Sequence, residues 1–139
     1  MDAYLEIEFY SGEPSKLYIK ASNGYFSGCT ETYINESWLS KMASELKEFP
    51  KEIDSVVEFE SNKGEKDNSN IYLKFYCIDK TGHTALNVSM KTENNSINNR
   101  DEAKFILHFE AAELDKFSIS LENTVKNGNG SVCLTGLIK

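Results

Sequence analysis

From Tyr4 to Phe9 the chain alternates, with Leu5, Ile7 and Phe9 on one side and Glu6 and Glu8 on the other. A period of two is the mark of a half-buried strand. Turn chemistry follows in Ser11-Gly12-Glu13-Pro14-Ser15. Lys16 to Ala21 alternates again, presenting Leu17, Ile19 and Ala21 to one face, and Asn23-Gly24 tolerates the positive φ of a tight hairpin. Tyr25 to Ile34 reads as a third strand. The period then changes. Trp38, Leu39, Met42, Leu46 and Phe49 fall at helical spacing behind Asn35, a residue suited to cap a helix, and Pro50 ends the run.

Period two returns at Ser55 to Glu60, with Val57 and Phe59 inward. A polar loop is expected over Ser61 to Asn70. Ile71 to Ile78, rich in aromatic and β-branched residues, is the strongest strand signal. Asp79-Lys80-Thr81-Gly82 turns it back into Thr84 to Met90, whose Leu86, Val88 and Met90 share a face. Lys91 to Asp101 is Asn-rich and reads as a mobile loop. Lys104 to Glu110 alternates through Phe105, Leu107 and Phe109. Leu114, Phe117, Leu121 and Val125 then define a second helix, stopped by Gly128 and Gly130. Val132 to Ile138 reads as a final strand. The expected fold class is α+β, a mainly antiparallel arrangement of about eight strands and two helices. With 139 residues and no linker or repeat, the chain suits a single domain over 1–139.

Charge adds something the pattern does not show. The net charge is −7, and residues 1–60 carry all of it, with 12 acidic and 5 basic side chains; residues 61–139 carry 10 of each. Such a field disfavours nucleic acid and anionic membranes and favours a cationic partner, though an acidic surface also serves plain solubility. The acidic, alternating N-terminus lacks the basic start and apolar stretch of a signal peptide, and no apolar run reaches the roughly 20 residues of a membrane span. A cytoplasmic protein is expected. Cys29, Cys77 and Cys133 are odd in number and widely spaced, so they are expected to be small buried thiols rather than a disulfide framework or zinc site.

Little else points to chemistry. His83 and His108 are the two histidines, and neither has a ligand partner at metal-binding spacing. Asp79 can reach His83 across the turn. A general base needs a nucleophile as well as an orienting partner, so this pair reads as a hairpin brace before it reads as a catalyst. Nucleophile elbows, phosphate loops and dinucleotide fingerprints are missing from the sequence. No catalytic residue, metal or cofactor is expected. Tyr4, Tyr25, Tyr33, Tyr72 and Tyr76 leave room for a rival reading, a small-ligand module with a tyrosine-lined groove.

The order of elements resembles the WapI-like family of bacterial immunity proteins and a related group of small bacterial domains. The likeness spans about residues 15–125. It is carried by the helix Trp38-Leu39-x-x-Met42-x-x-x-Leu46, by the turn Asp79-Lys80-Thr81-Gly82-His83, and by the strand Leu86-x-Val88-x-Met90. The helix Leu114-x-x-Phe117-x-x-x-Leu121 completes it. The last strand, Val132 to Ile138, departs from the family pattern. The resemblance implies a non-enzymatic protein that binds and silences a cognate toxin, in many cases a nuclease with a basic surface. The expected contacts are solvent-side acids around the first helix: Glu36, Glu45, Glu48, Glu52 and Asp54. Edge strands also offer a route to a homodimer.

Overall fold

The structure, a computed structural model, describes residues 2–61, 69–94 and 99–138. Ten elements follow one another: β1 (Ala3–Tyr10), β2 (Ser15–Asn23), β3 (Ser27–Ile34), α1 (Glu36–Lys47), β4 (Val56–Glu60), β5 (Asn70–Cys77), β6 (His83–Asn94), β7 (Asn99–Glu110), α2 (Ala111–Asn127) and β8 (Asn129–Thr135). They form two antiparallel four-stranded sheets, ordered β3-β2-β1-β8 and β4-β5-β6-β7. The α+β class read from the sequence is the class observed.

Local chemistry explains most boundaries. The Asn35 side chain accepts a hydrogen bond from the Ser37 amide, Glu36 favours the positive end of α1, and Lys47 favours the negative end. Gly128 adopts a left-handed conformation after α2, and its N–H reaches the carbonyls of Thr124 and Val125. Gly82, at φ 89°, closes the β5–β6 turn.

Three expectations need correction. Tyr25 and Phe26 belong to the β2–β3 loop, because Asn23 Oδ1 accepts hydrogen bonds from both of their amides. Of the loop expected over Lys91 to Asp101, the described residues are strand: β6 and β7 pair as a long ribbon from His83↔Glu110 out to Asn94↔Asn99, and residues 95–98 lie outside the described residues. Asn-rich composition lowers strand propensity, but a ladder already nucleated by Leu86, Val88, Phe105 and Leu107 extends through it. The last strand ends at Thr135, after which Leu137 makes an isolated bridge to His108. In the loop expected over Ser61 to Asn70, Asn62 to Asn68 lie outside the described residues.

A continuous cluster of buried side chains takes members from all ten elements. At one end the two sheets come close. A Cβ at Gly28 would lie 2.9 Å from Met90 Sδ and 3.4 Å from Ala103 Cβ, and one at Gly136 would lie 2.6 Å from Leu107 Cδ1. Ala3, Ala21 and Ala103 are the other small residues there. At the opposite end the inward side chains are larger, among them Phe9, Leu17, Phe75 and Phe109. There α1 and α2 pack against each other and bury Leu39, Met42, Leu46, Leu114, Phe117 and Leu121. Fully burying each such side chain is worth about 1.5–3 kcal/mol. The sizes of the inward residues thus set where the sheets touch and where helices fill the space between them.

Candidate partner-binding site

The site begins with the outer edges of the second sheet. An edge strand exposes every other peptide group, and proteins that leave such groups unpaired invite another strand. On β7 two of the outward carbonyls are taken: Asn23 Nδ2 donates to Ile106 O at 3.1 Å, and the Leu137 N–H donates to His108 O at 2.7 Å. β4 differs. Ser61 N–H bonds Ile71 O at 3.0 Å, in register with the β4–β5 pairing. Antiparallel alternation therefore turns Val57 and Phe59 toward β5, and Val56, Glu58 and Glu60 toward the outer edge. Trp38 Nε1 donates to Glu60 O at 3.1 Å, and its ring meets Phe59 edge-on with centroids 5.7 Å apart. Among the described residues no strand pairs with the edge at Val56 and Glu58.

Beside that edge runs α1. Trp38, Lys41, Glu45 and Glu48 follow at i, i+3, i+7 and i+10, one face of a helix. Between this face and β4 lie two open clefts. The larger, about 450 Å³, is lined by Glu45, Glu48 and Lys51 on its charged side and by Phe49, Val56 and Val57 on its apolar side, with Glu58 at its rim. The smaller, about 260 Å³, holds Trp38, Lys41, Glu58, Glu60 and Tyr72. Along this groove four carboxylates face two ammonium groups. Lys51 Nζ pairs with Glu48 Oε2 at 3.0 Å, whereas Glu45 has no ion-pair partner among the described residues. Glu58 accepts from the Tyr72 hydroxyl at 2.9 Å, and Glu60 accepts from Asn70 Nδ2 at 3.1 Å. Burial first, then the Glu58 hydrogen bond, push the Tyr72 hydroxyl above its ordinary pKa.

The five acids picked from the sequence do not act as one group. Glu45 and Glu48 line the larger cleft. Glu52 lines a separate cleft of about 410 Å³ with Cys77, Asp79 and Lys80. Asp54 is exposed in the connection between α1 and β4. Glu36 sits nine positions before Glu45, two and a half turns away, so it faces the opposite side of the helix. Glu58, Glu60, Trp38 and Val56 were missed. The alternation of β4 was visible, but its place at a sheet edge was not.

The Asp79–His83 brace is present. His83 Nδ1 lies 2.7 Å from Asp79 Oδ2, and Thr81 donates both its N–H and its hydroxyl to Asp79 Oδ1 at 2.8 and 2.7 Å. His83 Nε2 stands 3.8 Å from Glu110 Oε1. The His83 hydrogen bond, and then those from Thr81, hold the Asp79 carboxyl well below the usual range. The turn also docks on α2, because the Ala111 N–H donates to Gly82 O at 3.1 Å. This is the geometry of a braced corner.

The tyrosines do not gather into a groove. Tyr4 and Tyr33 lie on the outer face of the first sheet, at opposite ends of its strand register. Tyr72 and Tyr76 lie on the outer face of the second sheet, and Tyr25 is exposed in the β2–β3 loop. The expectation of buried thiols also fails. Cys29 and Cys133 are exposed and Cys77 is half-buried. Cys29 pairs across the sheet with Lys20, and Cys133 with Glu6, so both stand at outward positions of their strands. Partial burial, followed by neighbouring carboxylates, pushes the Cys77 and Cys133 thiols up, away from the reactive thiolate. Among the described residues no three His, Cys, Asp or Glu side chains are grouped to hold a metal ion, and no helix is long and apolar enough to cross a membrane.

No protein-family model, curated protein or solved structure matches this chain.

Proposed function

We propose that this protein is a non-enzymatic immunity protein that binds and neutralises a cognate bacterial toxin carrying a basic surface. One observation carries the reading: the groove between α1 and β4 lines up Glu45, Glu48, Glu58 and Glu60 beside an apolar wall and an unpaired strand edge. Charged groups around an apolar centre are the anatomy of a protein–protein contact, and complementary charge speeds encounter and rejects wrong partners. The family resemblance of the element order supports the same role. A protein that works by covering another protein's site needs no nucleophile, metal or cofactor of its own. In this reading the partner is a protein, and nucleic acid and membrane are not partners. The work is done in the cytoplasm, where a newly made or delivered toxin would act.

The test is co-expression with the product of the neighbouring upstream gene. The expected outcome is a complex that survives purification and relief of that product's toxicity. Separate elution of the two proteins, with toxicity unchanged, would overturn the reading.

A further inference from the structure

We infer that the partner adds an extended, lysine- or arginine-bearing segment as a fifth strand on the outer edge of β4, at Val56 and Glu58. This rests on the protein-binding reading above and specifies how the contact is made.

Backbone chemistry comes first. The register puts the peptide groups of Val56 and Glu58 on the outward side of β4, while the neighbouring outward carbonyl of Glu60 is held by Trp38 Nε1. An extended segment is the occupant that satisfies donors and acceptors alternating along a strand edge.

Space comes second. The larger cleft, about 450 Å³, opens alongside Val56, Val57 and Glu58 rather than over the sheet face. A strand laid there points alternate side chains to opposite faces. Side chains on one face would reach the wall made by Phe49 and Val57.

Charge comes third. Glu45 on α1, Glu48 at its C-terminal cap and Glu58 on the strand itself flank the added segment, with Lys51 already paired to Glu48. A second copy of this acidic chain fits such a cleft less well than a basic segment, because like charges would meet across it. The outer edge of β7 is a natural control. Its carbonyls at Ile106 and His108 are bonded by Asn23 and by the Leu137 amide, so at these two positions the sheet's other edge is occupied by its own chain.

The experiment uses the full chain, labelled with ¹⁵N, and a synthetic peptide of about seven residues that alternates lysine and valine, long enough to span the edge. A glutamate–valine peptide of the same length is the control. The expected result is binding of the lysine peptide alone, with the amides of Val56 and Glu58 shifted and slowed in hydrogen exchange. Glu58→Pro removes an outward N–H without touching the β4–β5 ladder, a placement edge strands accept, and should weaken binding about tenfold or more. Glu45→Lys with Glu48→Lys changes only exposed positions, one on α1 and one at its C-terminal cap, and should weaken binding by a similar factor whether or not the proline variant folds. Shifts confined to other surfaces, equal binding of the glutamate peptide, no binding by the native chain, or unchanged affinity in the lysine double variant would each overturn strand addition. Co-purification with the neighbouring gene product decides the immunity reading separately, so a complex that forms while the peptide experiment fails would leave that reading standing without this mode of contact.

Discussion

At the outer edge of β7, Asn23 at the end of β2 and Leu137 after β8 bond the carbonyls of Ile106 and His108. At the outer edge of β4, Trp38 bonds Glu60, and the positions toward Val56 stay open beside an acidic helix face. Both are edges of one sheet, yet the chain treats them differently. At Ile106 and His108 the β7 edge is covered by residues that end or follow strands of the first sheet, and these bonds also join the two sheets at their close end. The β4 edge is approached by a helix, which cannot continue a ladder and leaves a groove. Sealing an edge stabilises the fold; leaving one open makes a place for a partner.

The sharpest way to break the contrast is to disturb the sealed edge. Gly136→Val would add a Cβ 2.6 Å from Leu107 Cδ1 and 3.0 Å from His108 O, with two further methyl groups beyond it. Overpacking of this kind costs about 2–3 kcal/mol, and chemical denaturation should show it as a lower midpoint with an unchanged slope. Asn23→Ala comes next. It removes the acceptor of the Tyr25 and Phe26 amides and the donor to Ile106 O. A loss of about 1–2 kcal/mol is expected, together with faster amide exchange at Tyr25 and Phe26. Trp38→Phe keeps an aromatic ring against Phe59 and deletes the indole N–H, extending the open edge to Glu60. It should cost about 1 kcal/mol in thermal unfolding, without weakening the lysine–valine peptide.

The smallest effect belongs to a corner that is part of neither edge. The folded state holds the exposed Asp79 carboxyl below its ordinary pKa, chiefly through His83 and then Thr81. The unfolded chain therefore takes up this proton first as the solution is acidified. The stability Asp79 contributes is present above the ordinary carboxylate range, about pH 4, and is lost as the pH falls through and below it. Urea midpoints measured from neutral to acid pH should fall more steeply for the native chain than for Asp79→Asn. Equal slopes would show that the brace contributes nothing to folding.

Much of this fold is legible in the sequence because period and turn chemistry are local. Leu5, Ile7 and Phe9 announce an inward face without any knowledge of what they meet. Asn35, Gly82 and Gly128 mark ends for reasons internal to a few residues, and Asp79 lies close enough to His83 to be paired by eye. Other features depend on which strand lies beside which. Alternation assigns Val57 and Phe59 to the core but says nothing of whether β4 has one neighbour or two. That is why the pattern alone points to Glu45 and Glu48 but not to Glu58 and Val56. Glu36 shows the converse error: nearness in sequence to the right helix does not put a residue on its right face. Residue type alone places Cys29 and Cys133 in the interior, whereas the strand register, set by Thr30, Thr32, Val132 and Leu134, turns them outward.

The most direct test of the central claim is the affinity of the full chain for the protein encoded by the neighbouring upstream gene, measured by calorimetry for the native protein and for Glu45→Lys with Glu48→Lys. Both positions are exposed, so folding should be unaffected. The expected result is a tight native complex that weakens with added salt, and at least about a tenfold loss in the double variant. Equal affinity in the two proteins, or no binding by the native chain, would contradict it.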